Sequence, residues 1–112
     1  NLFNSSLLSP EIAKKYNLKR SNYYAILNIS VQEKDEQGNK SVPVLLQGTA
    51  SNIVQQQRKL EFKQIDEGDA IYYLSVFRIS NDDLLTFDIK IRTTADSPGY
   101  DLSFKRRVYV GP

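Results

Sequence analysis

The chain has no cysteine, no histidine, no methionine and no tryptophan. Without cysteine there is no disulfide, no thiolate metal ligand and no thiol nucleophile. That absence suits an oxidising compartment, where stray thiols are a liability, without identifying one. Without histidine the commonest general base is missing, together with the commonest ligand for zinc and copper. Lack of methionine excludes a methionine-type copper site. The five glycines are scattered singly, so no loop can cradle a phosphate. No apolar run approaches the ~20 residues that a membrane-spanning helix needs. Neither sign of charge dominates: 15 basic residues face 13 acidic ones, a net +2. So small and interleaved a charge lacks the strong basic field of a nucleic-acid binder.

What remains is 112 residues, 40% of them hydrophobic. That length and composition predict a single domain over residues 1–112, able to bury a core without a metal or disulfide. Because the chain starts at Asn1, we expect a fragment or a processed form, its signal peptide removed and any lipid anchor out of view.

Residues 9–18 carry the strongest helical signal. Ser9 suits the N-cap, Pro10 the first helical position and Glu11 the positive end of the dipole. Asn17 is a plausible left-handed stop, giving a short helix over about 10–17. Two turns cannot stand alone, so the face of Ile12 and Tyr16 is expected to pack on something.

From residue 22 the apolar period changes to two. Ala25, Leu27, Ile29 and Val31 share one face, and the polar segment 35–39 reads as a hairpin loop. Residues 42–52 read as the returning strand, with Pro43 favouring an edge or a strand start. Residues 55–65 form the next expected strand, closed by a turn at 66–69 around Gly68. Segment 70–79 is apolar on both faces, which predicts a central strand. Leu85, Phe87, Ile89 and Ile91 alternate cleanly, and 100–110 reads as the last strand. With residues 1–4 as a further stub, the expected architecture is mainly β: an immunoglobulin-like two-sheet antiparallel sandwich of about seven strands with one short N-terminal helix. Gly68 precedes Tyr72 by the spacing of a tyrosine corner, although an ordinary strand tyrosine fits as well.

No cluster carries a catalytic signature, so no catalytic, cofactor or metal residue is assigned. Lys105, Arg106 and Arg107 are expected to pair across strands with carboxylates such as Asp88 or Glu61, leaving no basis for nucleic-acid binding. The turns at Asp66, Glu67, Asp69 and at Asp82, Asp83 are oxygen-rich but lack the spacing of a calcium loop. Neither Ser-x-x-Lys nor Gly-x-Ser-x-Gly occurs. Asn4-Ser-Ser and Asn28-Ile-Ser match the glycosylation pattern, which short matches often do by chance. The seven tyrosines include two adjacent pairs, so one of each pair is expected to face outward, either for recognition or as ordinary strand surface.

The runs NSSLLSPEIAKKYNLKRS (4–21), LNIS (27–30), GTASN (48–52) and EGDAIYYL (67–74) resemble the Domain of Unknown Function 4426 family. That resemblance runs over nearly the whole chain and implies a small exported β-rich protein of gamma-proteobacteria, periplasmic or secreted. It implies no activity and carries over no site residue. The strand order is also similar to that of small exported immunoglobulin-like modules that accompany membrane complexes. The expected function is a non-enzymatic protein-binding or accessory module, its partner another exported or membrane protein, with no cofactor. The alternatives are a small-ligand or calcium-binding sandwich and, less favoured, a small carboxylate-dependent hydrolase. The candidate contact surface is the loop–helix–loop at Asn4, Ser5, Glu11, Arg20 and Tyr23, joined by Tyr72. The plainer role for these polar groups is capping and docking of the helix.

Overall fold

A computed structural model describes residues 1–111 of the chain; Pro112, the end of the expected domain, lies outside the described residues. The strands are β1 (Leu2–Asn4), β2 (Tyr24–Ile29), β3 (Gln32–Asp35), β4 (Gly38–Ser41), β5 (Leu45–Ser51), β6 (Gln57–Leu60), β7 (Lys63–Glu67), β8 (Ala70–Arg78), β9 (Asp83–Arg92) and β10 (Tyr100–Val108). A 3-10 turn (Ser5–Leu7) and one α-helix, α1 (Pro10–Lys15), lie between β1 and β2. One four-stranded sheet has the order β1-β2-β8-β7 and a second β10-β9-β5-β6, while β3 and β4 form a separate hairpin. All the pairings are antiparallel.

The period-two residues build one shared interior. Ala25, Leu27, Tyr73 and Phe77 of the first sheet meet Ala50, Leu60, Phe87 and Ile89 of the second. Phe87 has no exposed surface, and its ring stacks on Phe104 at 5.0 Å and meets Phe77 edge-on at 5.8 Å. The outer face of the first sheet carries a second cluster. There Ile26, Ile65 and Leu74 are covered by Phe3, Leu8, Tyr16 and Leu18 from the N-terminal segment. This double cover explains the two apolar faces of β8, which is central as its composition predicts.

The expected seven strands are ten, because two expected strands divide and β4 forms inside the stretch 35–41, where only a hairpin loop was expected. It is β4 that returns beside β3, whereas β5, within the expected returning strand 42–52, pairs with β9 and β6. The segment from residue 22 onward breaks at Ser30–Val31; β2 stays in the first sheet and β3 turns away into the hairpin. Residues 55–65 break at Glu61–Phe62, so that β6 closes the second sheet and β7 the first. Leu60 thereby enters the shared interior from the second sheet and Ile65 the outer cluster from the first. Pro43 falls in the link before β5, where no ladder bond is lost.

The helix is capped as expected but shorter than 10–17. The Ser9 hydroxyl accepts from the Ile12 amide at 3.2 Å, and Asn17 stops the helix at φ 54°. Its buried residue is Ala13, with Tyr16 half-buried beside it; Ile12 stays 46% exposed. The packing face is therefore Ala13–Tyr16 rather than Ile12–Tyr16.

Candidate binding surface

The predicted contact residues divide by role. Asn4, Ser5 and Arg20 form a bracket between residues 4–8 and 20–22. Asn4 donates through Nδ2 to the Asn22 carbonyl at 2.9 Å, and its Oδ1 accepts from the Ser6 amide at 2.9 Å. Ser5, fully buried, donates to the Ser21 carbonyl at 2.8 Å and accepts from the Ser21 amide at 2.9 Å. Arg20 Nε donates to the Leu8 carbonyl at 2.8 Å. Glu11 is exposed in the first turn of α1. Tyr23 lies before β2, exposed, with the Arg78 guanidinium 5.7 Å from its ring centre. The six residues thus do not converge on one spot.

Asn4 borders a shallow concavity beside β1 and the end of β10, and Tyr72 borders one beside α1. A groove of about 200 Å³ runs between α1 and the outer face of the first sheet, walled by Phe3, Leu8, Ile12, Tyr16, Tyr72 and Leu74. Glu67 and Asn28 provide its polar margin. The end of α1 is held down by Lys15, paired with Glu67 at 3.4 Å, and by Lys63, which donates to the Tyr16 carbonyl. Both links tie the helix to β7 and leave the groove mouth open at Ile12 and Tyr72. Phe3 belongs to no periodic run, and Leu8, although four residues before Ile12, lies outside the helix that Ser9 caps, so the sequence pattern does not single them out.

A larger cavity, about 520 Å³, opens between the two sheets at one end. Its floor is Ala50, Phe77, Ile79 and Leu85; its rim is Asn52, Gln56, Gln57, Arg58, Arg78, Ser80 and Asp83. Asp83 is its sole carboxylate, so the cavity holds no carboxylate pair. Arg58 donates to the Arg78 carbonyl at 2.7 Å, which holds the Arg58 guanidinium on this rim, while the Arg78 guanidinium lies by the Tyr23 ring.

The basic cluster at 105–107 does not pair as expected. Arg107 bonds to Asp82 at 3.0 Å rather than to Asp88 or Glu61, and Asp88 accepts from the Ser103 hydroxyl at 2.8 Å. The Arg106 guanidinium lies 5.4 Å from the Phe104 ring centre. Among the described residues no three acidic side chains gather as a metal site, and the acids of the two turns stay dispersed. The backbone-bonded tyrosine is Tyr73, not Tyr72: its buried hydroxyl accepts from the Val44 amide at 2.9 Å.

These features define a small, mainly β domain of several antiparallel sheets and one short helix, with concave patches on its surface. The chain belongs to the family described as Domain of unknown function (DUF4426), whose model matches residues 1–111. It is similar to the crystal structure of a DUF4426 family protein from Pseudomonas aeruginosa PAO1, with 33% identity and a TM-score of 0.82. That match covers 97% of this chain and 84% of the other. No curated protein matches the chain. No helix among the described residues is long and apolar enough to cross a membrane.

Proposed function

We propose that the chain is an exported, non-enzymatic module that binds another exported or membrane protein, seating its partner's apolar side chains in the groove beside α1. The observation that carries this reading is the groove itself, an apolar trough with Ile12 and Tyr72 at its lips, 46% and 36% exposed. Leu7, 74% exposed, adds an apolar residue in the neighbouring 3-10 turn. Aromatic and aliphatic groups around a small concavity are the usual anchors of protein recognition. The strand orders β1-β2-β8-β7 and β10-β9-β5-β6 support an immunoglobulin-like sandwich, the hairpin being an insertion between its second and third strands. Export and a periplasmic or secreted place fit the cysteine-free composition.

The test is cross-linking in the native periplasm with wild type, Ile12→Glu and Tyr72→Ala, each checked for an unchanged melting temperature. A protein captured by wild type and lost by both variants supports the reading. No capture, or capture that ignores both substitutions, overturns it. A second reading rests on the end cavity, where Arg58 over an apolar floor suits a small ligand with an anionic head. Native mass spectrometry of the purified domain would reveal such a ligand, and Arg58→Ala should release it.

A further inference from the structure

We propose that two copies of this chain join edge to edge through antiparallel β10 strands, with Ser103 of each copy opposite Ser103 of the other. β10 is nine residues long and stands at the end of its sheet; the other sheet-end strands are three, four and five residues long. A long open edge presents a row of unpaired N–H and C=O groups and is a template for another strand.

The side chains select which strand fits. Only alternate residues aim backbone groups at the free side, so two copies can pair only in every second register. In the register centred on Ser103, Asp101 faces Lys105 of the second copy, and Lys105 faces its Asp101. Leu102 meets Phe104, and Tyr100 meets Arg106. These three kinds of pair are complementary, being ionic, apolar and cation–π, and the central pair sets two serine hydroxyls side by side. Centring on Phe104 instead opposes Leu102 to Arg106, and centring on Lys105 opposes that cation to itself. Pro98, which has no N–H, falls opposite Val108 at the strand end, where the ladder stops.

The free chain shows what this contact would cover. Tyr100 and Leu102 are 75% and 42% exposed, although they share the strand face of Phe104 and Val108, which pack on the core. Asp101 reaches only a distant, exposed partner, Lys90 at 3.8 Å. The Lys105 side chain has no bonded partner among the described residues. Edge pairing would join the two four-stranded sheets into one and extend the interior from Phe104 onto the second copy's Leu102.

The pairing is independent of the groove reading, because β10 and α1 lie on different sheets. Sedimentation velocity on the purified chain, with circular dichroism to verify folding, tests it. Wild type should dimerise. Asp101→Lys and Lys105→Asp should each weaken the dimer by roughly tenfold or more, since each turns two attractive pairs repulsive. Mixing the two variants should give a one-to-one heterodimer, in which every Lys again faces an Asp. A wild type still monomeric at ~100 μM overturns the proposal. So does a dimer indifferent to either substitution, or a mixture of folded variants that does not associate.

Discussion

Two hydroxyls on β8, at Tyr73 and Ser75, both lie in the shared interior and meet different fates. That of Tyr73 accepts from the Val44 amide, whereas Ser75 Oγ is buried with no partner among the described residues. Removing a bonded acceptor strands a buried N–H, but removing an unbonded hydroxyl ends a desolvation cost. Tyr73→Phe should therefore lower stability by about 1–3 kcal/mol, while Ser75→Ala should leave it unchanged or raise it by about 1 kcal/mol. Urea midpoints of the two variants, moving apart from wild type, would check both signs. Glycines divide in a similar way. At Gly99, φ is 78° and an added Cβ would sit 2.7 Å from the Ile91 carbonyl oxygen; at Gly68, φ is 62° but the space is open. Gly68→Ala should cost about 1 kcal/mol for the left-handed backbone alone. Gly99→Ala should cost ~2 kcal/mol or more, because backbone must also move. Thermal melts of the pair separate the two contributions.

At the scale of elements, the loop–helix–loop from Asn4 to Tyr23 owes its shape to side chains that bond backbone. Ser5 makes both of its bonds to the same residue, Ser21, from a fully buried position. Ser5→Ala leaves the Ser21 amide and carbonyl unmatched, which should cost about 1–3 kcal/mol and loosen the cover over Ile26 and Leu74. Hydrogen exchange should then accelerate at the Ser21 amide, with little change at β9. The helix was legible in the sequence because its signals are local: Ser9, Pro10, Glu11 and Asn17 act within two turns. β9 was legible for the same reason, as Leu85, Phe87 and Ile89 alternate without interruption. The break after Leu60 was not, since alternation shows that a residue is buried but not which sheet buries it. The site follows the same logic. Polar residues of the segment 4–23 could be picked out by type, yet three of them are bonded within the bracket. The groove arises where Phe3 and Leu8 meet Tyr72 and Leu74 of a strand far along the chain, a juxtaposition no local spacing encodes.

Across the whole molecule, one interior ties the two four-stranded sheets together, and the hairpin stands outside it. Phe87 of one sheet touches Phe77 of the other, so neither sheet can loosen alone without opening the space between those rings. Phe87→Leu should lower stability by roughly 1–3 kcal/mol. Its effect should move the urea transition seen by far-ultraviolet circular dichroism, which reports both sheets, together with that seen by tyrosine fluorescence. The hairpin is joined to this body through Val31 and Val42, which pack against the interior and are linked by the bond from the Val42 amide to the Val31 carbonyl at 3.1 Å. Beyond them its described side chains are almost all exposed. Replacing residues 33–40 with an Asn-Gly turn keeps Gln32 opposite Ser41 and retains both valines. Stability should then stay within about 0.5 kcal/mol of wild type, because no interior contact is lost and a shorter loop costs less to close. A fall as large as that of Phe87→Leu, or transitions that separate between the two probes, would mean that the hairpin belongs to the cooperative body and that its two valines are not the boundary.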